Sequence, residues 1–178
     1  MFSAEKEGNG RERKTMTELE KARKMLEKLT PLKGDCGKYC GARCCSSLEG
    51  EETGMLLFPG EEDLYEDLEG WRILPAGEDL LIICPGTCDR KDRPLACRMF
   101  PLLPIRKGEE TVARIDERSR TVCPLARQGK KGMDPAFAEA VRQAGEMLWE
   151  VPEQRDFLQR LAREQEELKA LRSLLGKA

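Results

Sequence analysis

Histidine is absent from this chain of 178 residues, and aromatic residues make up only 5% of it. The absence of histidine excludes imidazole metal ligands, Ser-His or Cys-His catalysis and imidazole acid-base chemistry. No segment approaches the ~20 consecutive apolar residues of a membrane-spanning helix, and residues 1–7 lack the apolar run of a secretion signal. We therefore expect a cytoplasmic protein without membrane association, in which disulfide bonds are rare.

The net charge of −2 conceals two segments of opposite sign. Residues 46–83 contain 11 acidic side chains and 1 basic one, whereas residues 84–131 contain 12 basic and 6 acidic ones. Mutual neutralisation and a basic docking surface both fit this pattern. Because aromatic residues do not alternate with the lysines and arginines, the pattern does not favour a nucleic-acid partner.

Composition and hydrophobic periodicity divide the chain into three parts. Residues 1–14 are polar and highly charged, which is typical of a flexible tail. Residues 15–132 contain all eight cysteines and predict a metal-binding domain with a leading helix. Residues 133–178 contain no cysteine and predict a helical segment that packs on this domain, or alternatively joins a homodimer or a protein partner. The predicted fold class is α+β: a small, irregular, metal-stapled cysteine module with short antiparallel hairpins, flanked by one N-terminal and two C-terminal helices.

Apolar residues at helical spacing predict helices at both ends of the chain, over residues 15–29, 135–150 and 153–175. Thr15 and Glu18 are interpreted as a capping box, and Asp134 as the N-cap of a helix that begins with proline. A further helix is expected over residues 61–68, because acidic side chains favour the start of a helix.

Two pairs of strand-like runs predict two small antiparallel hairpins. The first pair, residues 71–74 and 80–83, is separated by a segment that contains proline and glycine. The second pair, residues 102–106 and 111–115, is joined through a charged turn with one glycine.

Four cysteines occur within ten residues in the first half of the chain: Cys36, Cys40, Cys44 and Cys45. Four thiolates can bind one tetrahedral zinc ion or hold the corners of a 4Fe-4S cluster. The side chains of the adjacent Cys44 and Cys45 are expected to point in different directions and to serve different roles or sites. Three glycines in this segment argue against a stable helix.

The other four cysteines are spread more widely, at Cys84, Cys88, Cys97 and Cys123. Nearby prolines are expected to stiffen the loops around Cys97 and Cys123, which suits metal ligands. Arg93 and Arg98 are expected to offset the anionic charge of the centre and to donate N–H groups to sulfur. Ordinary surface salt bridges are the alternative for these two arginines.

The ordered cysteines, together with residues 93–101, resemble the YkgJ-type cysteine-cluster family over residues 34–127. The most specific element is Arg-Pro-Leu-Ala-Cys-Arg-Met-Phe-Pro around Cys97, which is similar to that family's R-P-x-x-C-R-x-F-P signature. The resemblance implies a zinc- or iron-chelating domain, and a flagellin lysine methylase carries a related cysteine cluster. The first cysteine group departs from the family's C-x2-C-x2-C-C spacing, because it reads C-x3-C-x3-C-C.

These observations predict a metal-binding protein that holds Zn2+ or a 4Fe-4S cluster through its cysteine thiolates. A metal-dependent redox or modifying enzyme and a purely structural zinc interaction module remain alternatives. Without histidine, the acid-base candidates are Tyr39, Tyr65, Asp79 and the carboxylates of residues 61–69, none of which stands in a recognisable catalytic motif.

Overall fold

The computed structural model describes residues 15–46, 54–86 and 88–176; the segment predicted as a tail, residues 1–14, lies outside these ranges. The described ranges contain six α-helices: α1 Glu18–Leu26, α2 Gly37–Cys40, α3 Leu95–Met99, α4 Pro124–Gln128, α5 Pro135–Trp149 and α6 Pro152–Leu175. They also contain five strands: β1 Met55–Leu56, β2 Arg72–Ala76, β3 Asp79–Ile83, β4 Leu102–Lys107 and β5 Glu110–Ile115. The predicted α+β class with small antiparallel sheets is confirmed. No helix in the described part of the chain is long and apolar enough to cross a membrane.

The capping box of the N-terminal helix lies two residues after the predicted one. Thr17 is the N-cap: its hydroxyl accepts from the Glu20 N–H at 3.2 Å, and the Glu20 carboxylate accepts from the Thr17 N–H at 2.7 Å. This register brings Ala22 and Leu26 onto the buried face of α1. The assignment of Thr15 and Glu18 was therefore wrong, because Thr17 and Glu20 repeat the same Thr-x-x-Glu pattern two residues later.

Both predicted hairpins are present. Strands β2 and β3 pair antiparallel, and the two-residue strand β1, which was not predicted, adds along the other edge of β3. Strands β4 and β5 pair in register from Leu102 with Ile115 to Lys107 with Glu110. Gly108 closes this second hairpin at φ 62°, a conformation that glycine adopts without steric cost.

The main core joins the C-terminal helices to the rest of the molecule. Helix α5 packs on α1, β4 and β5, and α6 packs on α5. The stripe of α5 that periodicity predicts is buried, at Phe137, Val141, Ala144 and Leu148. A smaller cluster of Leu57, Tyr65 and Ile82 is separate from this core.

The helix predicted over residues 61–68 is wrong, because only a 3-10 turn occurs there, at Glu62–Leu64. The cause is Glu61, whose side chain is fully buried instead of capping a solvated helix. Its carboxylate accepts from the Phe58 N–H at 3.2 Å and the Leu95 N–H at 2.9 Å, and it pairs with the Arg23 guanidinium. These bonds fix the first residue of α3, the helix that carries Cys97.

Candidate metal centre

The first four cysteines lie on two tight turns of backbone. Cys36 is the N-cap of the one-turn helix α2, and Cys40 is its last residue. The glycine-rich segment therefore does form a short helix, and Gly41, at φ 66°, ends it in the left-handed region. A 3-10 turn then carries Cys44 and Cys45.

The other four cysteines follow or lie within separate elements. Cys84 comes directly after β3, and Cys88 precedes the 3-10 turn Arg90–Asp92. Cys97 lies within helix α3 rather than in the stiff loop that the flanking prolines predicted. Cys123 is the N-cap of α4, and its backbone N–H donates to the Ser119 carbonyl at 2.7 Å.

The structure brings all eight cysteines to two adjoining cavities. Six of them line a cavity of about 680 Å3: Cys36, Cys44, Cys45, Cys84, Cys88 and Cys97. Four line a small void of about 30 Å3: Cys36, Cys40, Cys44 and Cys123. Cys36 and Cys44 border both spaces, so the cavities divide the cysteines differently from their order in the sequence. Cys123 lies beside Cys36, Cys40 and Cys44 at the small void. Cys45 lies beside Cys84, Cys88 and Cys97 at the larger cavity.

Cys44 and Cys45 interact with each other through their side chains. Their sulfur atoms lie 4.0 Å apart, at hydrogen-bonding distance for thiols, which contradicts the expectation that they point in different directions. The hydrogen bond from Cys44 lowers the pKa of the Cys45 thiol to about 6. The same bond raises the pKa of Cys44, so the pair is expected to carry one thiolate and one thiol at neutral pH.

Burial raises the pKa of three further thiols. It is the largest influence at Cys97, followed by the negative charge of Cys45. Burial is also the largest influence at Cys36 and Cys88, and Arg93 opposes it at both. A bound cation would overcome this cost, because a metal favours the deprotonated sulfur.

Arg93 and Arg98 occupy different environments. The Arg93 guanidinium opposes the rise in the pKa of the Cys88 thiol, and its buried Nε lacks a hydrogen-bond acceptor among the described residues. Arg98 instead donates from each of its three nitrogens to a backbone carbonyl: Arg93 at 2.7 Å, Arg23 at 2.8 Å and Lys91 at 2.6 Å. The expected N–H donation from Arg98 to sulfur is therefore replaced by bonds that join the loop before α3 to α1.

Of the acid-base candidates named from the sequence, only Tyr39 lines either of the two cavities. Tyr39 lines the small void but is 56% exposed. Burial raises the pKa of Tyr65 to about 12, and its hydroxyl accepts from Arg23. Asp79 pairs with Arg160 and lines neither cavity. Sequence reasoning missed the anchoring role of Glu61, since nothing in the pattern distinguishes this carboxylate from the acidic residues that follow it.

The donor chemistry fits a sulfur-bound metal, whereas the side-chain positions do not yet form a closed site. All eight cysteines are free thiols. Within residues 15–46, 54–86 and 88–176, no three Cys, Asp or Glu side chains converge to hold a metal ion. Metal binding would therefore require the thiols to turn inward to Zn–S distances of ~2.3 Å. No protein-family model, curated protein or solved structure matches the chain.

Proposed function

We propose that this chain is a metal-binding protein that holds zinc or an iron-sulfur cluster through two sets of four cysteine thiolates. The supporting observation is the gathering of eight thiols from distant parts of the sequence around two adjoining cavities. The first set is Cys36, Cys40, Cys44 and Cys123, and the second is Cys45, Cys84, Cys88 and Cys97. Four thiolates satisfy a closed structural zinc site or one 4Fe-4S cluster.

The sizes of the two cavities favour different occupants. The void at the first set has about 30 Å3, about two to three times the ~10–15 Å3 that one water-sized sphere requires. It suits a single ion such as Zn2+ better than a cubane. The space at the second set is large enough for either an ion or a 4Fe-4S cluster.

Charge at the second set also supports an anionic metal-thiolate centre. Four thiolates around Zn2+ carry a net charge of −2, as does the same shell around an oxidised 4Fe-4S cluster. Arg93 opposes the rise in the pKa of the Cys88 thiol, so its positive charge would also offset the negative charge of such a centre. A cytoplasmic location, which we also propose, would keep the thiols reduced.

A metal-dependent redox or modifying enzyme is the second candidate function. The observation that favours it is the size of the larger cavity, which is within the ~300–1,000 Å3 typical of small-molecule sites. A purely structural zinc module would not require such a space beside its ligands.

Metal analysis and a visible spectrum after anaerobic purification test the main proposal. We expect two metal sites per chain, and visible charge-transfer absorbance only if a cluster fills the second set. Cys40→Ser should empty the first set alone, and Cys84→Ser the second set alone. Ser46→Ala, a nearby change at a hydroxyl that bonds the Ala42 carbonyl rather than a thiol, is the matched control. A purified wild-type chain without bound metal, or loss of both sites in either cysteine variant, would contradict the two-set assignment.

A further inference from the structure

The larger cavity has an apolar wall and positive charge in addition to its six cysteines. Met55, Trp71, Ile82 and Phe100 contribute to the wall. The described residues that line this cavity include neither Asp nor Glu. They include four arginines: Arg72, Arg90, Arg93 and Arg98. An apolar cavity with a few convergent charged groups is the usual form of a small-molecule site.

Two of these arginines remain available for a ligand. Arg98 is bonded to backbone carbonyls, as described above, and Arg72 has other interactions. Neither Arg90 nor Arg93 forms an ion pair with any carboxylate in the described part of the chain. The Nε–H of Arg93 is buried without an acceptor, and an unpaired buried donor carries a free-energy cost that a bound acceptor would remove.

The positive charge persists whether or not metal is bound. With Cys45 as a thiolate and the other thiols neutral, the four arginines leave the described lining with a charge of +3. A tetrathiolate zinc at Cys45, Cys84, Cys88 and Cys97 would contribute −2 and leave +2. The described lining is therefore positive in both states, and an anion can bind whether or not the centre holds metal.

A second cavity extends the positive region. It has a volume of about 340 Å3 and shares Arg90 and Arg93 with the larger one. Lys28 and Lys33 also line it, against the carboxylates of Asp35 and Asp134. Asp134 is already bonded to the Ala136 N–H as the N-cap of α5. Arg90 and Arg93 thus stand where the two cavities meet, with apolar surface on one side and lysines on the other.

We propose that this cleft binds a small organic anion, a carboxylate or phosphate attached to an apolar body. Arg90 and Arg93 bind the anionic group, with the Arg93 Nε–H as one donor, since guanidinium pairs well with planar and tetrahedral oxyanions. The apolar body lies against Trp71, Ile82 and Phe100. The cysteines of the larger cavity line the same space as this ligand.

Calorimetric titration of the purified full-length protein tests the class of ligand. Octanoate and octyl phosphate are the anionic probes, and octan-1-ol and octylamine are the matched neutral and cationic ones. We expect at least one anion to bind about tenfold or more tightly than the alcohol and the amine. Each methylene removed from the better anion should weaken binding by about fourfold. Equal binding of octylamine, or no binding of either anion, would overturn the proposal.

Variants locate the site. Arg90→Gln should weaken the better anion by about tenfold or more, because a charged hydrogen bond is lost. Arg163→Gln, at an exposed arginine on α6, is the matched control and should bind as the wild type does. Ligand addition should also change the fluorescence of Trp71, and Trp71→Phe should remove that change. Unaltered affinity in Arg90→Gln would reject this site, and metal content measured on the same samples separates that result from loss of a metal centre.

Discussion

At the scale of single residues, Cys97 and Arg98 are neighbours with opposite surroundings. The Cys97 side chain borders the larger cavity with three other thiols of its set, whereas Arg98 bonds to three carbonyls outside that set. Both lie on the short helix α3, whose first N–H is held by Glu61. Substitution of Cys97 should therefore change the metal content, whereas substitution of Arg98 should change the stability of the fold.

Cys97→Ser should remove metal from the second set. Serine keeps the size of the side chain but lacks the soft thiolate that zinc and iron-sulfur centres require. Metal stoichiometry measured on anaerobically purified protein should fall by one site. If Cys97 were only a buried apolar thiol, occupancy would be unchanged and the variant would lose a little stability from burying a hydroxyl.

Arg98→Ala should lower stability while retaining metal. The substitution removes three hydrogen bonds and leaves the carbonyls of Arg23, Lys91 and Arg93 without that partner, at a cost of about 2–4 kcal/mol in the free energy of unfolding. Urea unfolding compared with Arg163→Ala, an exposed control, measures the difference. A variant as stable as the wild type but depleted of metal would assign Arg98 to the centre instead.

At the scale of elements, close packing of α5 on the second hairpin depends on one glycine. A Cβ at Gly145 would lie 2.1 Å from Pro104 Cβ and 3.1 Å from Thr111 Cγ2. The hairpin is buried along most of β4, so these neighbours have little room to move. Absence of a side chain at this position sets how near helix and sheet can approach.

Gly145→Ala should destabilise the protein by about 1–3 kcal/mol, because overpacking outweighs the ~1 kcal/mol that alanine gains over glycine in a helix. The pair Gln143→Gly and Gln143→Ala, at an exposed position of the same helix, measures the propensity difference without the clash. Thermal or urea unfolding reports all three changes. A stabilised Gly145→Ala would show that the hairpin yields to the added methyl group.

Sequence patterns predicted long elements better than short ones. Helix α5 begins at the predicted Asp134-Pro135 signal, and both hairpins follow from strand-like runs and turns. Helix α3, with only five residues, was missed because Pro94 and Pro101 favoured a loop. The strand β1, with two residues, is too short to show any alternation.

For the candidate centre, sequence identified the eight thiols but could not group them. Grouping depends on the 3-10 turn that carries Cys44 and Cys45 to the border of the two cavities, and on the return of Cys123 to the first segment. Both are properties of the assembled fold rather than of spacing along the chain. Burial of Glu61 and Arg98 was equally hidden, since charged residues are normally exposed unless a specific set of partners compensates them.

At the scale of the whole molecule, the thiols lie at the margin of the apolar core, where Cys123 packs against it as a partly buried side chain. The buried residues of the main core come from α1, α3, α4, α5, α6, β4 and β5 and from the adjoining loops, and none of them is a cysteine. The sheet of β1, β2 and β3 rests on a cluster with only three buried residues. The two regions should respond unequally when metal is withdrawn.

Chelation under reducing conditions should loosen the thiol segments before the main core. Binding of a structural zinc by thiolates adds folding free energy on the order of 10 kcal/mol. When the metal is removed, the segments that supply its ligands should lose the most stability. We expect amide hydrogen exchange to accelerate at least about tenfold in residues 36–46 and 84–92 and in β1, β2 and β3, with smaller changes in β4, β5 and α5. Uniform acceleration, or none after verified metal removal, would contradict this division.

The return of Cys123 to the segment that begins at Cys36 also sets an order of events during synthesis. Three thiols of the first set are present once Cys44 has been made, but the fourth follows 79 residues later in the chain. At ~5–20 residues per second, translation needs roughly 4–16 s to cover that interval. During this time the nascent chain would expose three of the four thiol ligands to the metal ions of the cell. Binding of the correct metal would then require that an ion bound early by three thiolates can still be exchanged when Cys123 arrives. Selectivity would depend on how quickly the three-thiolate complex releases its ion.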